Sequence, residues 1–308
     1  MAGELVVPST VVAALSLWSA ITGVAASTAF DPSLLSTAAV PLEASLLEEY
    51  ATTYLGEDWE SAVDNVEFVL DNADYLLWGA AITVALTLTS ILLGFLAGFP
   101  AGAIEVYGSG YSRAFVRKAG VLIRGTPILV IMIFTYFVLP IGPILDAAEF
   151  VRRALEVMFA STPVPVPAEV PEAFLAATLA LGFRSAAYQS QIFRGALQSI
   201  DDGQMEAARS IGMSRLEAIR HVMVPQAMRR SVPGFQNEFT IVLKDTSIAF
   251  AIGLGELLKR GHDLFIQETS AVLEVIVFIS LVYFVLTFGT NRLLDYLSHR
   301  FAIPGETA

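Results

Sequence analysis

Long stretches without one charged side chain are what most restrict this chain. Leu5–Phe30 and Tyr75–Ile104 hold no Asp, Glu, Lys or Arg, and both exceed the ~20 residues that carry a helix through ~30 Å of hydrocarbon. Gly125–Leu145 and Val275–Asn291 are also uncharged. Ala173–Phe193 is apolar apart from Arg184, and Ser231–Gly255 apart from Glu238, Lys244 and Asp245. Charged residues make up 16% of the chain and mean hydropathy is +0.64, against about a quarter charged in soluble domains. The expected fold class is all-α integral membrane. It has five spans in residues 75–300, preceded by a hydrophobic helix at 1–30 and an acidic extracytoplasmic segment at 31–74, and followed by a cytoplasmic tail at 301–308. Small residues at Ala25–Ala29 leave a signal sequence as the alternative for the first 30, although a positive n-region is missing.

The basic residues orient these spans. Arg113, Arg117, Lys118 and Arg124 fill the loop after Tyr75–Ile104. Arg194, Arg209, Arg215, Arg220, Arg229 and Arg230 fill or flank the loop before Ser231–Gly255, and Arg292 and Arg300 follow the last span. If five spans alternate, all three groups share one side, which the positive-inside rule makes cytoplasmic. Asp31–Asp74, holding eleven of the acids and no base, falls outside. A net charge of −12 excludes a basic nucleic-acid surface. Arginine outnumbers lysine 15 to 3, and so acidic a chain suits very salty surroundings, where long-range repulsion is screened. The expectation is a halophile; the alternative is an ordinary acidic outer segment. Without cysteine there is neither a disulfide nor a thiolate metal site. Asp146–Phe159 reads as a short outer helix and Thr162–Pro167 as a polyproline-like link.

The longest cytoplasmic loop reads as helix, turn, helix. Asp201 and Asp202 suit an N-cap and first turn, and Gly212 suits the left-handed position past a helix end. Ser214 with Glu217 reads as a capping box, and Pro225 marks entry to the next span. Ala207 and Ala208 are small enough for another protein to approach closely. By shape alone the loop is equally a hairpin lying on the membrane. Its residue order decides further. Glu206-Ala207-Ala208, Gly212, then Val222, Val224 and Pro225 resemble the coupling (EAA) loop of binding-protein-dependent ABC importer permeases, with valines where that family usually has Ile and Leu. Arg124-Gly125-Thr126-Pro127, Ala187-Tyr188, Ile192-Phe193-Arg194-Gly195, Asn237-Glu238-Phe239 and Lys244-Asp245-Thr246-Ser247 are similar to the polar amino acid branch. The likeness covers roughly Tyr75 to Arg300.

Charges inside spans need an explanation. Glu238, Lys244 and Asp245 facing lipid near the midplane would cost on the order of 8 kcal/mol together. They are therefore expected to pair, to line a cavity or to sit near an interface. Lys244 and Asp245 point apart on a regular helix, which suggests a local break at Lys244–Ser247. Arg184, Tyr188 and Gln191 form one stripe at i, i+4, i+7. It reads either as a pathway wall, with Arg184 placed for a substrate carboxylate, or as interhelical packing, with Arg184 paired to Glu238 or Asp245. Arg124–Pro127 reads as structural, and Phe134, Tyr136 and Phe137 as core.

The resemblance implies a transport subunit with no covalent chemistry of its own. It implies two permease subunits, identical or homologous, and ATPase subunits that bind ATP and Mg and engage the Glu206 loop. It also implies an extracellular solute-binding protein, with lipid around the whole. Polar amino acids are the implied cargo. Rival readings are an importer of another small polar solute, such as a compatible solute or organic anion, and a membrane receptor or anchor whose hairpin recruits a partner.

Overall fold

Every described element is helical, and no strand occurs among the described residues. The computed structural model describes residues 58–147, 153, 157 and 170–301. The helix expected at 5–30, most of the acidic segment, the proline-rich link and the tail past 301 lie outside the described residues. The chain divides into two units, Met1–Ser61 and Ala62–Ala308. Of the first, only the opening turn of α1 is described; the helical bundle belongs to the second.

Helix α1 (Asp58–Asp71) leads through Asn72 into α2 (Ala73–Tyr107), which takes in the whole uncharged run 75–104. At 1.5 Å per residue its 35 residues reach about 52 Å, more than the hydrocarbon alone requires. The last part of the acidic segment packs against the bundle. Val69 is buried, and Asn65 donates to Ser270 O (2.9 Å) while accepting from Ser270 Oγ (2.8 Å). Asn65, Phe68 and Val69 share one face of α1 and make this possible, while Val63, Val66 and Leu70 stay exposed; the compact unit opens at Ala62.

Helix α3 (Gly110–Gly125) meets α4 (Ile128–Phe137) at a bend of 104°. Thr126 is extended, as a residue before proline must be, and Pro127 at the helix start sacrifices no hydrogen bond. The run Gly125–Leu145 is not one continuous helix. It contains α4 and α5 (Ile141–Ala147), separated by Val138–Pro140. Phe134 and Phe137, expected in the core, are exposed, and of the three aromatics only Tyr136 packs inward.

Helix α6 (Val170–Gln198) forms its most extensive contact with α2. Gly94, Gly98 and Gly102 repeat every fourth residue along α2. A Cβ on Gly98 would stand 2.6 Å from Ala186 O, and one on Gly102 2.6 Å from Ser190 O. The absent side chains let the two backbones close up, as small-residue stripes do in bilayers. There follow α7 (Asp202–Ser210), α8 (Arg215–Ala218), a π-helical turn (Ile219–Met223), α9 (Val224–Asp245), a 3-10 turn (Thr246–Ile252), α10 (Leu257–Gln267), a second 3-10 turn (Thr269–Ala271) and α11 (Val272–Phe301).

Three apolar clusters run along the bundle. One joins α2, α4, α5, α6 and the 3-10 turn around Leu86, Met132 and Leu181. A second joins α1, α2, α10 and α11 around Leu76, Leu257 and Leu264. The third joins α6, the π turn and α9 around Phe193, Met223 and Ala227. By length and composition α2 and Thr269–Tyr296 are long and apolar enough to cross a membrane, and the bent α3–α4 pair is a third if counted as one span. Buried polar or charged side chains stand on α2 (Thr83, Thr87, Ser90, Glu105), α6 (Ser185, Gln189, Ser190), α9 (Ser231, Glu238) and α10 (Arg260).

Candidate functional site

The loop between α6 and α9 is built from local hydrogen bonds. The Asp201 side chain accepts from Gly203 N (2.7 Å) and starts α7. The helix ends where Met213 N reaches Ala208 O (3.2 Å) and Gly212 N reaches Arg209 O (3.0 Å). That paired closure requires a left-handed residue, and Gly212 stands at φ +93°. Ser214 N then donates to Glu217 Oε2 (2.8 Å), and Glu217 N to Ser214 Oγ (3.3 Å), completing the expected capping box. These bonds hold the exposed Glu217 carboxyl below the ordinary carboxylate value. Helix α8 does not stop at Pro225. It continues through the π turn into α9, with Pro225 in the first turn of α9. Proline lacks the N–H that an unbroken α-helix would direct at His221 O, and the wider turn moves the ladder to Val224 N → Ile219 O.

Glu206 and Ala207 face outward, but Ala208 is buried, so only one of the two alanines is open to a neighbour. Sequence reasoning missed Ile211 and Leu216, which are 76% and 74% exposed and stand on either side of the Gly212 turn. The signal was present: two bulky apolar residues flank a turn glycine in an otherwise polar loop. Arg230 donates to Ser199 O (2.5 Å), and Gln226 to Gln204 Oε1 (3.3 Å), fastening the loop to α9.

The interior charges form two groups. In one, Arg184 of α6 pairs with Asp245 at the end of α9, and its guanidinium lies 5.0 Å from the centre of the Tyr188 ring. Glu238 is buried nearby, with Ser185, Arg184 and Asp245 as its electrostatic neighbours, and its Oε1 has no hydrogen-bond partner among the described residues. Of the two partners expected for Arg184, Asp245 is the one that binds it.

Gln191 does not belong with them. It donates to Glu105 Oε1 of α2 (2.8 Å) and accepts from Arg194 Nη1 (3.1 Å), while Arg194 lies 3.5 Å from Glu105 Oε2. The expected single stripe of Arg184, Tyr188 and Gln191 therefore divides, because its last member turns toward a carboxylate on another helix. Glu105 was missed as a site residue; it is the first charge after the uncharged run and is buried.

The regular helix gives way at Asp245, as the adjacent Lys244 and Asp245 suggested. The 3-10 turn begins at Thr246, with Thr246 Oγ1 donating to Leu243 O (2.7 Å) and Ser247 Oγ to Lys244 O (2.8 Å). Lys244 points away from Asp245 into an open cavity of about 300 Å³ lined also by Ser247, Leu258, Ile276, Ile279, Ser280 and Tyr283. Behind it, fully buried Glu256 accepts from Leu258 N (3.0 Å), Lys259 N (2.8 Å) and Tyr283 Oη (3.0 Å). Arg124 is more than an interfacial anchor, since it donates to Ala187 O (2.7 Å) and ties α3 to α6.

Comparison with known proteins adds four findings. Residues 90–303 match the family described as binding-protein-dependent transport system inner membrane component. The nopaline transport system permease of Agrobacterium fabrum is 29% identical over 230 residues, 75% of this chain and 89% of that protein. The glutamine transport system permease of Escherichia coli K12 is 29% identical over 246 residues, 80% and 98% of the two. Among solved structures, an amino acid ABC transporter with histidines superposes at a TM-score of 0.60 and 27% identity, covering 76% of this chain and 97% of that one.

Proposed function

The chain belongs to the family of binding-protein-dependent transport system inner membrane components, and from that premise we propose that its cargo is a polar amino acid. It is a multi-pass permease subunit of an ABC importer in the cell membrane. It is not itself an enzyme, because the ATPase of such importers is a separate subunit. The cargo reading is supported most by the likeness to a glutamine permease along nearly all of that protein's length.

In this proposal two permease subunits form the path, and a solute-binding protein delivers cargo at the outer face. Glu206, Ala207 and Gly212 present the coupling loop to the ATPase, with Ile211 and Leu216 as its apolar contacts. Ala208 holds α7 down from within, and Pro225 sets the turn into α9. Closure of the ATPase pair on ATP and Mg then rotates α8 and α9 as one rod, since no break separates them. Arg184, Tyr188, Glu238, Lys244 and Asp245 line the path, and Arg184 receives a cargo carboxylate when its bond to Asp245 opens. Gln191 acts with Glu105 and Arg194 in holding α2 to α6. A salty habitat accounts for the acidic, arginine-rich composition.

Competition among radiolabelled amino acids for ATP-driven uptake into vesicles holding the complete transporter tests the cargo. Uptake of a polar amino acid is expected. Uptake of a compatible solute or organic anion with no amino acid competing would overturn the assignment. For the loop, Glu206→Lys is expected to lose both the co-purifying ATPase and uptake. Retained ATPase binding in that variant would remove the coupling role and favour a receptor or anchor.

A further inference from the structure

Helix α3 has one face fixed to the bundle and the opposite face bare. Gly120 is its buried residue, Arg113 donates back to Val106 O (2.6 Å) and Arg124 donates to Ala187 O (2.7 Å). On the far side Tyr111, Phe115, Lys118 and Leu122 stand at i, i+4, i+7 and i+11, one straight stripe on a helix. Tyr111 is 96% exposed, Phe115 74% and Leu122 71%. Arg117 is exposed but lies toward the side of Arg113 and Arg124, so Lys118 is the one cation in the stripe; no acidic residue occurs anywhere in Gly110–Gly125, in a chain whose net charge is −12.

Direction matters as much as composition. The uncharged run begins at Gly125, where α3 and α4 meet at 104°. With α4 directed into the bilayer, α3 runs close to parallel with its surface, on the side where the basic loops gather. A helix lying there with aromatic and aliphatic residues and a lysine on one face, and with no acid, has the make-up of an interfacial helix. Lys118 can lay its methylenes among Phe115 and Leu122 and raise its ammonium to the phosphate level.

We propose that α3 lies in the cytoplasmic headgroup layer and binds anionic phospholipid, with Tyr111, Phe115 and Leu122 inserted and Lys118 on the headgroups. A second copy of the chain is the less suitable occupant. A symmetric apolar seam along this stripe would bring two Lys118 ammonium groups toward each other, and like charges placed so oppose association. The proposal is independent of the cargo.

The absence of native cysteine permits a direct test. Tyr111→Cys, Phe115→Cys and Leu122→Cys would each carry a fluorophore in the complete transporter, reconstituted with brominated phosphatidylcholine or brominated phosphatidylglycerol. Ser210→Cys, on exposed α7, is the aqueous reference. Strong quenching at the three stripe positions is expected, with weak quenching at Ser210. The relative binding constant of phosphatidylglycerol over phosphatidylcholine should exceed one and fall about fivefold with Lys118→Gln in low salt. Retained uptake in that variant reports an intact fold. Equal constants for the two lipids, or stripe quenching no deeper than at Ser210, would overturn the proposal. So would protection of the three labels by ATPase subunits, or close coupling between labels on two copies, since either assigns the face to protein.

Discussion

Arg184 and Asp245 each depend on the other to be tolerated among apolar helices. Replacing only Arg184 leaves a carboxylate without its counter-ion, a change that costs about 3–5 kcal/mol at fully buried pairs. The side chains here keep 18% and 23% exposure, so the loss belongs at or below the bottom of that range. Arg184→Gln should therefore lower the unfolding midpoint in detergent by several degrees, at about 2–4 °C per kcal/mol for a chain of this size. Arg184→Gln/Asp245→Asn should recover most of it. Uptake then separates two roles. If Arg184 also receives a cargo carboxylate, the double variant stays at least about tenfold impaired, the scale of a lost charge-assisted hydrogen bond; recovery of both stability and uptake would leave Arg184 a packing role alone. The need for a partner was legible from the cost of a lone charge in a span. That Gln191 would bond elsewhere was not, because its partner Glu105 lies 86 positions away and no local period connects them.

The loop between α6 and α9 shows which element features a sequence carries openly. Asp201, Gly212, Ser214 and Glu217 bond to backbone two to five residues off, so spacing alone indicates their roles. The π turn was hidden, because it arises from two demands together: continuity of α8 with α9 and the missing N–H of Pro225. Glu217 gives the loop a pH dependence whose sign is fixed. Its carboxyl titrates lower when folded, so its contribution is present above the ordinary carboxylate pKa and is lost as pH falls through the lower folded value. Protection of the α8 amides, relative to their intrinsic exchange rates, should fall over that acidic window. Glu217→Gln should abolish the dependence, while Ser214→Ala, which leaves the Ser214 N bond to Glu217 in place, should only weaken it while costing about 1 kcal/mol of local helix stability. An unchanged pH profile in Glu217→Gln would refute the assignment. Helices α2 and α6 pose the opposite case. The glycine spacing of α2 was visible, but its consequence depends on Ala186 and Ser190 across the contact. Gly98→Ala puts a methyl 2.6 Å from Ala186 O, where a backbone atom cannot swing aside. About 1–3 kcal/mol of destabilisation is expected, read as a lower unfolding midpoint. Tolerance of alanine there would mean the two helices are less closely seated than this distance requires.

On the scale of the whole molecule, alternation of spans does what no single helix composition can. Helices α6 and α9, expected as spans, are less apolar than α2 and α11, yet Arg184 is neutralised by Asp245 and Glu105 by Arg194 across helix contacts. Their crossing is a property of the assembled bundle, so the single-segment cost of each charge overstates the barrier. If both cross, α3, α7 and α8 share one side with the arginine-rich loops, and the Glu268–Ser270 turn lies on the other. The cysteine-free chain makes this measurable with one thiol at a time. Ser112→Cys and Ser210→Cys should react with an impermeant maleimide only in inverted vesicles, and Thr269→Cys, exposed at the start of the second 3-10 turn, only in right-side-out vesicles. Labelling of Ser210→Cys and Thr269→Cys from the same side would mean that α9 does not cross. The Arg184–Asp245 pair would then lie near a surface, where water and not a neighbouring helix could satisfy it.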